Sequence, residues 1–497
     1  MIRKRTPFFI IVLVAIGVFA CSFPSTPPLA GYKVISSQSQ TGADPTTDAP
    51  TPLPTRPAYK PGQLVDYIAQ PGDTLPALAA HFNTTVAQIR AANPIIPSNA
   101  TTMPMGFPMK IPIYYRALWA NPFKIIPDAA FVNGPMQVGF NTSAFVDSQP
   151  GWLKNYHAYA GAGSIQSGAE LVDYVATNYS VSPRLLLALL EYQAHALTDP
   201  QMPLDSYILK YPDPYYSTLY LQLVLAANTL NNGYYGWRIG SLTEFDATDT
   251  SIIRPDPWQN AASVGIQYFF SRIRSGSAYE AAVGPGGFVK TYKSLFGDPW
   301  AGNINLIPGS LTQPPLRLPF QPGQTWTYTG GPHTGWGVGA PFSAIDLAPP
   351  SQFHGCFTPE PQNFAVAMAD GIVVRSSIDG LMLDLDGDGD ERTGWDIFYL
   401  HLATDTRAPT GKELHAGDFI GYPSCRGGEA TGTHVHIARK YNGEWIPADS
   451  AIPLDLSGWI FHSSGIAYQG TMTRNGATVK ACQCSDFYSQ ITSDANP

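Results

Sequence analysis

Two histidines one residue apart, His434-Val435-His436, carry the sharpest chemical signal in the chain. On a β-strand, residues two apart project from the same face, so both imidazoles can address one metal ion. They follow Gly428–Thr433, a mostly small-residue stretch that leaves room for an approaching ligand strand. His401 ends the strand-like run Trp395–Leu400, and Asp346 supplies a carboxylate within Ser343–Leu347. Two neutral imidazoles and one carboxylate make a three-ligand Zn2+ site with the fourth position open to water. Such an ion lowers the pKa of water toward about 7 and polarises a carbonyl. A different chemistry is offered by Glu191, which closes the apolar run Leu185–Leu190. A carboxyl against apolar walls has a raised pKa and can hold a proton for a leaving oxygen, although such a glutamate also commonly serves as a structural hydrogen-bonding group. The run Asp384–Asp390 superficially looks like a calcium loop, but Trp395 stands at the twelfth position, where a bidentate glutamate is required. An acidic hairpin turn is the expectation there.

The order of the motifs adds to this. Tyr399-Leu400-His401-Leu402, then the hairpin-like spacer Leu414–Tyr422, then Thr431–His436, then Asn442-Gly443-Glu444-Trp445 together resemble the lysostaphin- and LytM-type peptidoglycan endopeptidases. That family places its first histidine four residues before the aspartate, and this chain has Phe342 there. Gly330-Gly331-Pro332-His333 stands thirteen residues before Asp346 instead, similar to the beta-lytic branch with its longer loop. His354 is the poorer rival. The resemblance implies that His333, Asp346 and His436 hold Zn2+, and that His401 and His434 orient or deprotonate water and protonate the departing amine. His415 falls outside the motif and reads as surface.

These residues need strands to carry them, and from Leu316 onward short apolar runs alternate with Gly, Pro and Asp. Phe364–Met368, Gly371–Val374 and Trp395–Leu400 read as strands. Between 114 and 310 the texture is helical, with apolar spacing over Leu171–Thr177, Pro183–Ala196, Leu219–Leu230 and Ala261–Ile273. Within it, Ser182–Glu191 resembles lytic transglycosylases and goose-type lysozymes, which implies a glycan-holding domain with Glu191 as general acid. The family's serine after that glutamate is Tyr192 here, and no GLMQ-like stretch follows. Earlier still, a strand ending at Pro71-Gly72, a helix over Leu75–Phe82 capped by Asp73 or Thr74, a second helix over Val86–Ala92 and a strand over Gly106–Pro112 form a strand–helix–helix–strand unit. It resembles LysM, which implies binding of N-acetylglucosamine polymers by Gly72, Asp73, Thr74, Asn93, Pro94, Ile95 and Ile96.

At 497 residues the chain is too long for one core. Its charged fraction of 13% and net charge of −8 offer no basic face, so nucleic acid is an unsuitable partner. Arg3, Lys4 and Arg5 precede an apolar run too short for an ordinary membrane span, and Val18-Phe19-Ala20-Cys21 resembles the lipobox of bacterial lipoproteins. Export and a lipid anchor on Cys21 are implied. No other stretch is long and apolar enough to span a bilayer. The four remaining cysteines allow three pairings, and Cys356–Cys425 is preferred because both fall in loops near the histidines, leaving Cys482 with Cys484.

The expected fold class is a multidomain α+β chain: a lipoprotein signal peptide over 1–21, a Pro/Thr/Ser-rich linker over 22–62, a βααβ LysM module over 63–113, a mostly α-helical lysozyme-like domain over 114–310 and an antiparallel β-rich peptidase domain over 311–497. The expected function is an extracytoplasmic, lipid-anchored zinc metalloendopeptidase acting on stem peptides or cross-links of peptidoglycan. A non-catalytic wall-binding or regulatory lipoprotein, and a bifunctional hydrolase whose Glu191 also cleaves glycan, are the alternatives.

Overall fold

Residues 56 and 58–494 are described by a computed structural model, apart from 115, 117–119, 161–163, 303, 378–379 and 485. The described residues all fall in the unit Asp48–Pro497. Cys21, the signal segment and the linker as far as residue 55 lie outside them. Among the described residues no helix is long and apolar enough to cross a membrane.

The first element set is two antiparallel strands, Gln63–Ile68 and Pro108–Ile113, flanking helices Leu75–His81 and Val86–Ala92. Thr74 caps the first helix by accepting from Ala77 N, and Thr85 forms a capping box with Gln88 on the second. Leu78, Phe82, Ile89 and Ile111 close a small core onto which Trp258 of the next segment also packs.

The middle segment is mainly helical, with Gly168–Tyr179, Pro183–Ala194, Leu219–Arg238, Ala261–Ser271, Gly276–Val283 and Phe288–Phe296 as its larger helices. Helix Leu219–Arg238 runs two turns past the expected stop at Leu230. Asn231-Asn232-Gly233 reads as a helix end, yet Gly233 lies in a close helix crossing: a Cβ there would sit 2.6 Å from Tyr268 Cβ and 2.9 Å from Gly265 Cα. Tertiary packing outweighs the cost of a helical glycine, roughly 1 kcal/mol.

The C-terminal segment is built on a nine-stranded antiparallel sheet. Its order is Glu413–Leu414, Gly371–Ser377, Gly380–Asp384, Trp395–Leu400, Val435–Tyr441, Phe342–Ala348, Thr325–Thr334 and Gln490–Thr492, with Glu444–Trp445 added beside Val435–Tyr441. Only Ala365–Val366 of the expected strand Phe364–Met368 pairs. The spacer Leu414–Tyr422 is no hairpin, because Leu414 pairs with Gly371 while Phe419–Gly421 pairs with Ala365–Val366. Strand alternation gives the sheet two buried faces. Ile345, Leu383, Ile397, Tyr399 and Ile437 face a core shared with a second, four-stranded sheet that contributes Leu456, Phe461 and Met472. Ala344, Met382, Phe398, Leu400 and Ala438 face the other way and merge with the helical core. Asp346 and His436 stand on this helix-facing side, in one row with Leu400 across three strands.

Candidate metal centre

Pairing register builds the site. His436 lies directly opposite Asp346, and Asp346 lies opposite Gly330 on the next strand. Gly330 is needed there, because a Cβ would sit 2.2 Å from Asp346 Oδ2. A Cβ on Gly331 would likewise collide, 2.6 Å from backbone atoms of Gln469 and Gly470. The glycine pair before His333 thus makes room for the carboxylate on one side and a crossing strand on the other.

Each histidine has one ring nitrogen committed to a backbone carbonyl. His333 Nδ1 donates to Gly331 O at 2.8 Å, and His436 Nε2 to Gly335 O at 3.1 Å. His434 Nδ1 donates to Gly432 O at 2.7 Å, and His401 Nδ1 to Arg426 O at 2.6 Å. These assignments follow from the carbonyls being acceptors only, and they leave the opposite nitrogen of every ring as a lone pair.

Those lone pairs converge. His333 Nε2 and His436 Nδ1 are 3.0 Å apart, and Asp346 Oδ1 is 3.4 Å from the first and 3.3 Å from the second. Asp346 Oδ1 is buried and accepts no hydrogen bond. Three acceptors at this separation repel one another unless a cation sits among them, and an unpaired buried oxygen is costly. One carboxylate and two imidazoles form a donor set that suits zinc. Burial works against the Asp346 charge, and only positive charge beside it, on His333 and His434 or on a cation among them, would hold the carboxyl well below its ordinary range. Burial also lowers His436 and, with His434 and His436 nearby, pushes His401 down to about 3, so both rings stay neutral.

His434 sits just before the strand and brings Nε2 within 3.6 Å of Asp346 Oδ1. His401 reaches the same place by a different route. Leu400 faces the helical side, so strict alternation would send His401 to the opposite face. Its backbone instead adopts φ +64°, and the side chain turns back until its ring is 4.5 Å from that of His434. Ser424 N and Oγ both donate to the His401 carbonyl and support this strained residue. The disulfide Cys356–Cys425 ties the neighbouring loops together, and Thr433 bonds to the Gly355–Phe357 backbone. Cys482–Cys484 forms the second bridge.

Tyr468 escaped the sequence reading. Its ring stacks on His333 with centroids 4.1 Å apart, and its carbonyl accepts from Gly331 N. It lies beyond every motif, and nothing in its spacing marks it.

The other candidates are placed as follows. His354 and His415 are exposed and outside the converging group. Glu191 lies in the last turn of helix Pro183–Ala194 and serves the turn that follows: Oε2 accepts from Leu197 N at 2.8 Å and Oε1 from Thr198 Oγ1 at 2.6 Å. Asp384 is buried at the base of the acidic turn and accepts from the amides of Asp386, Gly387 and Gly389. In the βααβ unit, Asn93 is consumed by bonds to the backbone of Ile89 and Lys110, and Asp73 accepts from Tyr67 Oη and Gln70 N. Burial lifts the Asp73 carboxyl to about 6 even so. Pro94 and Ile95 are exposed and Ile96 is buried. Gly72 and Thr74 line a cavity of ≈ 360 Å³ with Arg238, Glu444 and the segment Ile446–Ile452.

Residues 67–112 match the LysM domain family model, and residues 124–310 match the model described as LasA, N-terminal domain. The chain is 24% identical over 311 residues to Protease LasA of Pseudomonas aeruginosa (strain UCBPP-PA14), covering 58% of this chain and 70% of that protein. It is 29% identical over 167 residues to the Beta-lytic metalloendopeptidase of Achromobacter lyticus, covering 32% of this chain and 41% of that one. Among solved structures, "A Novel M23 Metalloprotease Pseudoalterin from Deep-sea" aligns with 34% of this chain and 96% of its own, at 23% identity and a TM-score of 0.28. The chain therefore combines a LysM domain with a region related to metalloendopeptidases.

Proposed function

We propose that this protein is an extracytoplasmic zinc metalloendopeptidase that binds peptidoglycan and hydrolyses peptide bonds in its stem peptides or cross-links. The observation that carries this reading is the unpaired, buried Asp346 Oδ1 facing the lone pairs of His333 Nε2 and His436 Nδ1. Those three atoms would hold Zn2+, which when bound polarises the scissile carbonyl and makes water a nucleophile near neutral pH. His401, held neutral with its Nδ1–H on Arg426 O, offers Nε2 to take a proton from water and return it to the departing amine. His434, anchored by Nδ1 on Gly432 O, directs Nε2 toward the same space and stabilises negative charge developing on the carbonyl oxygen when it carries a proton. Residues 63–113 bind the glycan in the groove between the Gly72-Asp73-Thr74 turn and the loop Asn93-Pro94-Ile95-Ile96, where Pro94 and Ile95 are exposed and Asn93 and Ile96 support the loop from within. Residues 1–21 direct export, and lipid on Cys21 holds the protein at the membrane beside the wall. The helical segment holds glycan near the metal centre.

The test uses purified protein and isolated peptidoglycan. The parent is expected to bind a single zinc and release new amino termini, while His436→Ala does neither. Full activity in that variant would sink the metal assignment.

A further inference from the structure

Of the twelve residues between His333 and Asp346, Gly335–Pro341 form a loop that leaves the sheet and lies against the helical segment. Gly335-Trp336-Gly337-Val338-Gly339-Ala340-Pro341 has little rigidity of its own, because glycine has the largest conformational freedom to lose. Yet it carries the carbonyl that fixes a metal ligand. Gly335 O accepts from His436 Nε2, and this bond is what leaves Nδ1 as the lone pair facing Asp346 and His333.

What holds the loop is helix Leu219–Arg238. Asn228 Oδ1 accepts from Val338 N at 2.9 Å, and Asn232 Oδ1 accepts from Ala340 N at 2.7 Å. The match is geometric. Residues four apart share a helix face, so both side-chain amides can reach one segment of chain passing over that face. The contact is close enough to exclude side chains: Gly337 (φ +84°) and Gly339 (φ +92°) would place a Cβ 2.3 Å from Asn228 Oδ1 and 2.0 Å from Asn232 Oδ1. Tyr179 packs on Gly337 from a second helix, and the Trp445 ring lies against Gly335.

We propose that Asn228 and Asn232 are positioning residues for the metal centre, clamping the His333–Asp346 loop so that the Gly335 carbonyl holds His436 in its metal-binding tautomer. This rests on the metallopeptidase reading above and extends it: the helical segment completes the ligand environment as well as flanking it. The long spacing that separates this chain from the four-residue pattern is then the length needed to reach the helix. Partners one step removed from a ligand commonly contribute 10- to 100-fold to metal affinity.

The experiment measures zinc affinity of the full chain by competition with a chelator, alongside thermal unfolding. Asn228→Ala/Asn232→Ala is expected to lose roughly 10- to 100-fold in zinc affinity, with kcat falling more than KM rises. Asn228→Asp/Asn232→Asp keeps both acceptor oxygens and is expected to restore the affinity. Asn231→Ala removes a bond from the same helix to Tyr179 O without touching the loop, and should lower the melting temperature while leaving zinc affinity unchanged. Unchanged affinity in the double alanine variant, or an equal loss in Asn231→Ala, would overturn the clamp. If the parent and His436→Ala alike bind no zinc, the metallopeptidase reading falls and the clamp with it. A zinc-binding parent with an unaffected double variant removes only the clamp.

Discussion

Gly330→Ala tests the metal centre through a residue that donates nothing to it. Gly330 is not in the left-handed region, and it pairs directly with Asp346. An alanine in an ordinary extended strand would stabilise by about 0.5–1 kcal/mol relative to glycine. Here the added methyl would sit 2.2 Å from Asp346 Oδ2, 2.8 Å from Cγ and 3.0 Å from Cβ. Ordinary carbon contacts lie near 3.5 Å, so the carboxylate must retreat by about 1 Å or the strands must part. Metal–ligand distances tolerate only about ±0.2 Å, so a retreat of that size withdraws Oδ1 from the group formed with His333 and His436. A misplacement of about 1 Å at a reacting centre costs on the order of 10²-fold in rate. Overpacking typically costs about 1–3 kcal/mol, partly offset by the gain in strand propensity. The expected outcome is a folded protein with a modest fall in melting temperature and a steep fall in both zinc affinity and amine release from peptidoglycan. Chelator competition, thermal unfolding and amine release read the three separately. A variant that melts lower but binds zinc as the parent does would refute the placement of Asp346 as a ligand.

Three further outcomes follow from other parts of the molecule. His81 is buried in a stack on Trp237, and burial pushes its pKa down to about 3, so the unfolded chain takes up a proton below pH 6.5 that the folded chain refuses. Stability is therefore full above that pH and falls by roughly 2 kcal/mol between pH 6.5 and 5 on this account alone, and comparing His81→Phe with the parent by denaturant unfolding should show that slope reduced. Glu191→Ala removes acceptors for Leu197 N and Thr198 Oγ1 and is expected to cost about 1–3 kcal/mol while peptide release persists; glycan reducing ends that vanish in this variant would instead support a catalytic Glu191. Cys356→Ser/Cys425→Ser opens a link of sequence separation 69 and is expected to cost about 2–4 kcal/mol. Because Arg426 next door supplies the carbonyl that orients His401, kcat should fall in that variant more than KM rises.

The sequence was most legible where a local pattern is itself the structure. Pro71-Gly72 with Asp73 or Thr74 announces a helix start, at which Thr74 proves to be the cap, and the HxH spacing announces two rings on one side, although His434 sits just before the strand. The convergence of His333 on Asp346 was readable only through the order of motifs, because the twelve intervening residues have no periodicity. Three things were hidden because they depend on tertiary structure. His401 faces the site through a left-handed backbone that breaks alternation. Tyr468 arrives from a distant turn to stack on His333. Asn228 and Asn232 carried no mark in the sequence, because the loop amides that they hold, Val338 N and Ala340 N, lie far along the chain. Strand Phe364–Met368 shrank because only Ala365 and Val366 pair in a ladder, while Ala367 bonds to the turn at Gly417–Asp418 and Met368 to Arg317 N and Tyr399 Oη.

A buried ion cluster joins the LysM-matching unit to the helix and sheet that frame the candidate metal centre. Arg238, at the end of the helix that carries Asn228 and Asn232, donates Nη1 to Pro71 O in the LysM turn and a fork of Nε and Nη2 to Glu444 beside the central strand. Asp128 and Tyr234 share the same guanidinium. Burial lifts the Glu444 carboxyl above its ordinary value despite this partner, so the desolvation cost is not fully offset. By that measure the cluster is a device for orientation more than for stability. The distinction is measurable. Arg238→Met leaves Glu444 and Asp128 buried without their cation and is expected to cost about 3–5 kcal/mol. Adding Glu444→Gln removes one of the orphaned charges and should recover part of the loss, a non-additivity that thermal unfolding of the single and double variants can read. Both variants should cut soluble peptides better than intact peptidoglycan, since the turn that carries Gly72 is no longer pinned relative to Asp346. Strictly additive stabilities, or equal losses on the two substrates, would show that the cluster only packs.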